Sequence, residues 1–123
     1  MNPRYALLTV LYCAGIFGLS SGSNPIHVES RFPGQDKVAH AVLYGGLATV
    51  VSLGIRRSGR RVSPWVQLVV PVALAGMYGI TDEIHQMYVP GRTPDTWDVL
   101  ADALGAAIAQ ILLCRYVWRL SMR

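Results

Sequence analysis

An all-α membrane protein, a single-domain bundle of about four transmembrane helices over residues 1–123, is the fold that this sequence predicts. Three observations predict it. Hydrophobic residues make up 52% of the chain and charged residues 15%, against about 25% charged in a typical soluble domain. The mean hydropathy is +0.35. Four stretches approach the ~20 apolar residues that a helix needs to span a bilayer, and the arginines cluster in alternate loops between them.

The first span runs from Arg4 to Ser21 and the second from Asp36 to Ile55. The third runs from Pro64 to Ile84 and the fourth from Asp95 to Trp118. Pro64 and Pro94 suit the first turns of the third and fourth helices, where no backbone donor is needed. Pro71 lies inside the third and is expected to kink it. The first segment also has features of a signal peptide, with a short positive start and a run of small residues. Removing it would put the chain ends on opposite sides of the bilayer, which fits the arginines less well. Bulky Tyr12 before Cys13 does not suit a lipoprotein site. Cys13 and Cys114 lie in apolar stretches at opposite ends of the chain and read as small buried or lipid-facing thiols, with no disulfide framework.

Cytoplasmic loops of membrane proteins are enriched in Lys and Arg. With four spans, Arg4, Arg56, Arg57, Arg60, Arg61, Arg115, Arg119 and Arg123 fall on one side. The other side holds Arg31, Lys37 and Arg92 and all seven acids of the chain. This predicts a multi-pass membrane protein with both termini cytoplasmic. The net charge of +4 then reflects topology and anionic inner-leaflet lipid, and no nucleic-acid partner is expected. Tyr5, Trp65, Tyr116 and Trp118 fall near the inner interface, and Tyr88 and Trp97 near the outer one, as aromatic belts do. Small residues recur at four-residue spacing, as Ala14, Gly18 and Gly22, as Ala75 and Gly79, and as Ala101, Gly105 and Ala109. Such stripes let helix backbones approach closely in lipid, within one chain or between two, so the spacing leaves the oligomeric state open.

The residues that carry chemistry gather at the outer ends of the spans. The second opens DKVAHAVLY, in which Asp36, His40 and Tyr44 recur every four residues and share a face. An N-cap role accounts for Asp36 as well as a site does. His40 stands about one turn inside, where a lone histidine is usually a packed, hydrogen-bonded residue; its alignment with Asp36 and Tyr44 favours a site.

The third ends TDEIHQMYVPGR, placing Asp82 and Glu83 at a helix C-terminus. The dipole there disfavours each negative charge by about 0.3–1 kcal/mol, so a cation, metal, shared proton or ligand is expected to compensate. The plain alternative is that one of the two acids is simply solvated at the interface; for Glu83 the functional reading is favoured. Adjacent residues point about 100° apart, so Asp82 and Glu83 are expected to do different jobs, with Gln86 facing either. In the turn after Gln86, Arg92 suits a bidentate grip on phosphate or carboxylate, or a plain pairing with a nearby acid.

The fourth carries Asp95, Asp98 and Asp102 on one stripe. A helix N-terminus explains the first two. It does not explain Asp102, about two turns in, which must face a partner or water.

The second and fourth helices both begin at this level, and their N-termini favour an anion. With Arg92, Lys37, His40 and the carboxylates, the set suits a phosphate-bearing headgroup, alone or through a divalent metal. No dedicated metal motif is present, so the sequence names neither a metal nor a cofactor.

The order of these motifs resembles the VanZ-like family of small bacterial membrane proteins. An Asp-Lys-x-x-His-x-x-x-Tyr helix is followed by a basic loop, Asp-Glu-x-x-Gln, a Pro-Gly-Arg turn and Asp-x-x-x-Asp-x-x-Gly. The resemblance runs from Asp36 to Gly105 and is carried by Asp36, Lys37, His40, Tyr44, Asp82, Glu83, Gln86, Arg92, Asp98 and Gly105. Where this chain has Asp102, the family pattern usually has Asn. The resemblance implies a cell-envelope setting and, through the family's namesake, a link to susceptibility to the glycopeptide teicoplanin. It implies no particular reaction.

Together these readings lead to an expected membrane lipid or lipid-linked envelope precursor, bound and in one version also modified at the extracytoplasmic face. In an enzyme, Glu83 and Asp98 would take acid–base or metal-binding roles. His40 would assist proton transfer and Arg92 would hold an anionic group. Lys37, Asp36, Tyr44, Gln86, Asp82 and Asp102 complete the expected binding set. The rival expectations are a non-catalytic binding or assembly subunit, and an ion- or proton-coupled carrier.

Overall fold

The computed structural model describes residues 1–21, 35–90 and 95–117. It contains α1 (Pro3–Ser21), α2 (Gln35–Arg56), α3 (Pro64–Gln86) and α4 (Thr96–Leu112), with a π-helical turn over Leu113–Val117 continuing α4. There is no strand among the described residues. All four helices are long and apolar enough to cross a membrane. The chain is a multi-pass membrane protein.

Several boundaries differ from the expected ones by one or more residues, and three of these bear on the site. α2 already includes Gln35, so Asp36 lies in its first turn rather than at its cap. α3 continues past Ile84 to Gln86. α4 begins at Thr96 with Asp95 as its N-cap, whose side chain accepts from the Trp97 amide, so Pro94 precedes the helix. α3 starts as its sequence predicts: Pro64 occupies the first turn and Ser63 caps it, accepting from the Val66 amide at 3.3 Å. α3 runs on through the buried Pro71.

The distribution of side chains is inverted relative to a soluble protein. Leu7, Leu11, Val42, Val69, Met77, Leu104, Ile108 and Ile111 are exposed, whereas Ser52, Gln67, Asp82, Glu83, Gln86, Asp98, Asp102 and Gln110 are buried. Water would not tolerate the first set as one continuous girdle. Lipid does, and it also requires polar groups to turn inward. Trp65, Tyr88, Trp97 and Tyr116 are all exposed, as interfacial aromatics should be.

α2, α3 and α4 form the tight part of the bundle, with α2 and α4 the most extensive pair. Gly105 makes that pair possible. A Cβ there would lie 2.2 Å from the Ala41 carbonyl oxygen and 2.6 Å from its Cα. Gly79 does the same between α3 and α4, where a Cβ would lie 2.7 Å from Asp102 Oδ2. α1 joins through tyrosine hydroxyls. Tyr12 donates to the Leu43 carbonyl and Tyr78 of α3 donates to the Cys13 carbonyl, each at 2.6 Å. The expected small-residue stripe of α1 does not pack against the other helices among the described residues: Ala14 and Gly18 are exposed, and a Cβ on Gly18 would meet nothing within 4 Å there. Gly22 lies outside the described residues.

Candidate functional site

The antiparallel order brings the start of α2, the end of α3 and the start of α4 to one end of the bundle. Lys37, in the first turn of α2, reaches across to α4 and donates to Asp95 Oδ2 at 2.5 Å and to Asp98 Oδ1 at 2.6 Å. One turn deeper, His40 pairs through Nδ1 with Asp102 Oδ1 at 2.9 Å. Its Nε2 lies 3.6 Å from Asp98 Oδ2. The 3–4 spacing of Asp95, Asp98 and Asp102 therefore meets the 3–4 spacing of Lys37, His40 and Tyr44 across the α2–α4 seam. Two helical stripes oppose each other rung by rung.

α3 closes the third side. Glu83 accepts the Asp95 amide on Oε2 at 2.9 Å. The expected compensation for a carboxylate at the end of α3 is thus supplied by a backbone donor at the start of α4. Asp82 points elsewhere, beside the buried Tyr44, whose ring lies parallel to His40 with centroids 6.2 Å apart. Adjacent Asp82 and Glu83 thus have different surroundings. Gln86 is buried one turn after them. Among the described residues, Tyr44 OH, Glu83 Oε1 and Asp102 Oδ2 are buried without a hydrogen-bond partner.

The electrostatics follow from these contacts. At the rim, the Lys37 ammonium beside Asp95 holds that carboxyl below the ordinary aspartate range, helped by the Trp97 amide. Deeper, Asp102 is fully buried at 0% exposure, so its charge must be answered locally. The His40 ring does this on one oxygen. With Asp102 ionised, Nδ1 carries a proton toward it, and Nε2 faces the Asp98 carboxylate.

Of the expected site residues, Lys37, His40, Tyr44, Asp82, Glu83, Gln86, Asp98 and Asp102 lie in or beside this cluster. Arg92 lies outside the described residues, as does the Asp36 side chain. No group of three or more His, Cys, Asp or Glu is arranged to hold a metal ion among the described residues.

A second polar set is announced by no motif in the sequence. Gln67 donates through Nε2 to Ser52 Oγ at 2.8 Å and to the Ser52 carbonyl at 3.0 Å, and Gln110 is wholly buried on α4. The signal that could have found them is the one that singled out Asp102, a polar side chain well inside an apolar span.

The chain finds no match among curated proteins or among solved structures. One family model does match, described as VanZ/LLP1 and aligned over residues 6–119, which takes in all four helices. The chain belongs to the VanZ/LLP1 family.

Proposed function

We propose that this protein binds the headgroup of an envelope lipid or lipid-linked precursor at the end of the bundle that carries the Lys37–His40–Asp98–Asp102 cluster. The observation that carries the reading is the set of polar side chains drawn from three helices into a lipid-embedded fold, with Glu83 Oε1 and Asp102 Oδ2 buried and unpartnered among the described residues. Each such acceptor costs about 1–3 kcal/mol, a standing preference for a ligand that brings hydroxyl or ammonium donors. The starts of α2 and α4 favour an anionic group on the same ligand, and in the sequence Arg92, outside the described residues, is the cation expected to hold it. A phosphate-bearing headgroup rich in donors answers both demands.

The arginine asymmetry puts this end outside, both termini inside and the protein in the bacterial cytoplasmic membrane. Reporter fusions after Arg61 and after Arg92 should then give opposite signals. In that setting the family's namesake suggests an effect on teicoplanin susceptibility, exerted through an envelope lipid or precursor.

One observation favours a second reading, in which the headgroup is also modified. Asp102 fixes His40 through Nδ1 and leaves Nε2 for proton transfer, with Asp98 beside it. The discriminating experiment is native mass spectrometry of the detergent-extracted protein, comparing wild type with Glu83→Gln. Retained envelope lipid that is lost in the variant supports the binding reading. Lipid retained unchanged by Glu83→Gln, or none in either protein, overturns it. Altered headgroup mass with wild type alone would support modification.

A further inference from the structure

The opposite end of the bundle carries a cavity unrelated to the carboxylate cluster. It measures about 450 Å³ and is lined by Arg56, Arg60, Arg61, Gly59, Pro64 and Gln67, among others, none of them acidic. That volume falls within the range of small-ligand sites, about 300–1,000 Å³. Its walls combine the end of α2, the α2–α3 turn and the first turn of α3. The turn reverses at Gly59, whose φ of 75° a side chain would strain, and the two arginines that follow it are both exposed.

An arginine loop by itself needs only the inner leaflet to explain it. Gln67 adds an independent observation. It is 2% exposed, and its Nε2 is committed to Ser52. That commitment orients the carboxamide, and its Oε1 is left buried with no hydrogen-bond partner among the described residues. Gln67 is one of the residues lining the arginine-walled cavity, so a fixed carboxamide with an unpartnered oxygen stands at its wall. The guanidinium groups demand an anion; the carboxamide oxygen demands a donor on the same molecule. Inorganic phosphate answers the first well and the second only when protonated. A phosphate ester of a polyol answers both. The positive end of α3, capped by Ser63, adds to the preference for an anion. Trp65, 63% exposed on the same turn as Pro64, supplies an interfacial platform beside the cavity.

We propose that this cavity binds a phosphate ester bearing hydroxyl groups, with the phosphate on Arg60 and Arg61 and a hydroxyl donated to Gln67 Oε1. A glycerol-bearing phospholipid headgroup and a soluble polyol phosphate share this chemistry.

The test uses the full chain in a neutral detergent with phosphatidylglycerol, phosphatidylcholine or glycerol 1-phosphate as probes. Native mass spectrometry should show phosphatidylglycerol retained about 10- to 30-fold over phosphatidylcholine, the preference two arginines near a lipid surface confer. Arg60→Gln with Arg61→Gln, both on the exposed turn, should abolish the preference without lowering the melting temperature. Gln67→Leu should lower phosphatidylglycerol retention several-fold. Should that variant fail to fold, phosphatidylglycerol against phosphatidic acid on wild type reads the hydroxyl directly, and the glycerol headgroup should win. Arginine-dependent protection by glycerol 1-phosphate without lipid retention would support the same site with a soluble ligand. The proposal is overturned if the double arginine variant retains phosphatidylglycerol like wild type. It is equally overturned if neither the lipid preference nor glycerol 1-phosphate protection is seen.

Discussion

The α2–α4 seam and α1 carry the same small-residue spacing and use it differently. Along α4, Gly105 is pressed against the Ala41 backbone, and Gly45 of α2 reciprocates, with a Cβ there only 3.2 Å from the Gly105 carbonyl. Along α1, Gly15 and Gly18 meet nothing within 4 Å. What separates the two is polar content. α2 and α4 share ion pairs and hydrogen bonds from Lys37 and His40 to Asp95, Asp98 and Asp102. Those bonds, about 2.5–2.9 Å long, require the two backbones to approach closely. α1 brings no acid to the bundle, and it is held by two tyrosine hydroxyl–carbonyl bonds, the Ser21 and Phe17 contacts with His85 and the buried Ile16. In lipid, where apolar surfaces gain little by meeting, the helices that must bury charge are the ones that pack tightly.

This comparison can be broken at its stronger side first. Gly105→Ala places a methyl against backbone that cannot rotate away, so it should destabilise by about 3 kcal/mol or more, read as lost monodisperse protein or a collapsed melting transition. A tolerated Gly105→Ala would mean that α2 and α4 stand farther apart than described.

Next in size is Asp102. Asp102→Leu leaves His40 without its partner at Nδ1 and should cost about 1–3 kcal/mol. Asp102→Asn keeps an acceptor of nearly the same shape and removes a buried charge, so its melting temperature should match or exceed wild type. The reverse order of the two would place Asp102 outside the packed cluster.

A smaller effect is expected at the rim and depends on pH. Lys37 lowers the Asp95 carboxyl, so the charged pair stabilises the fold above the ordinary aspartate range, about pH 4. The contribution fades as pH falls through the lowered native value. Asp95→Asn keeps the cap to Trp97 and loses the charge. Its melting temperature should lie below wild type at neutral pH, and the gap should close under acid. A gap that widened under acid would contradict the sign.

Smallest of all is Gly18→Ala, expected within about 0.5 kcal/mol of wild type because the site is open. A large loss there, with a change in oligomeric mass, would show that the α1 stripe packs against a second copy.

Much of the fold was legible because lipid imposes simple demands. Apolar length marked all four helices, and Ser63 with Pro64 marked the start of α3. The depth of Asp102 was legible too, since a carboxylate two turns inside an apolar span must have a partner. Which partner was not legible. Spacing puts His40 and Asp102 each on a face of its own helix, but only the packing of Gly105 on Ala41 turns those faces toward each other. The same limit hid the tyrosines, whose hydroxyls reach backbone carbonyls on other helices, and the Gln67–Ser52 pair, which no motif announces. Arg92 lies outside the described residues, so its part in the site rests on the sequence.

The claim on which the site depends most is that α2 and α4 are joined through His40 and Asp102. A double-mutant cycle with His40→Ala, Asp102→Ala and their combination, followed by melting in one detergent, measures that link directly. The structure predicts a coupling energy of about 1 kcal/mol or more, since each single variant strands the other's polar atoms. Additivity within about 0.3–0.5 kcal/mol would contradict it, because two side chains that do not touch should lose stability independently.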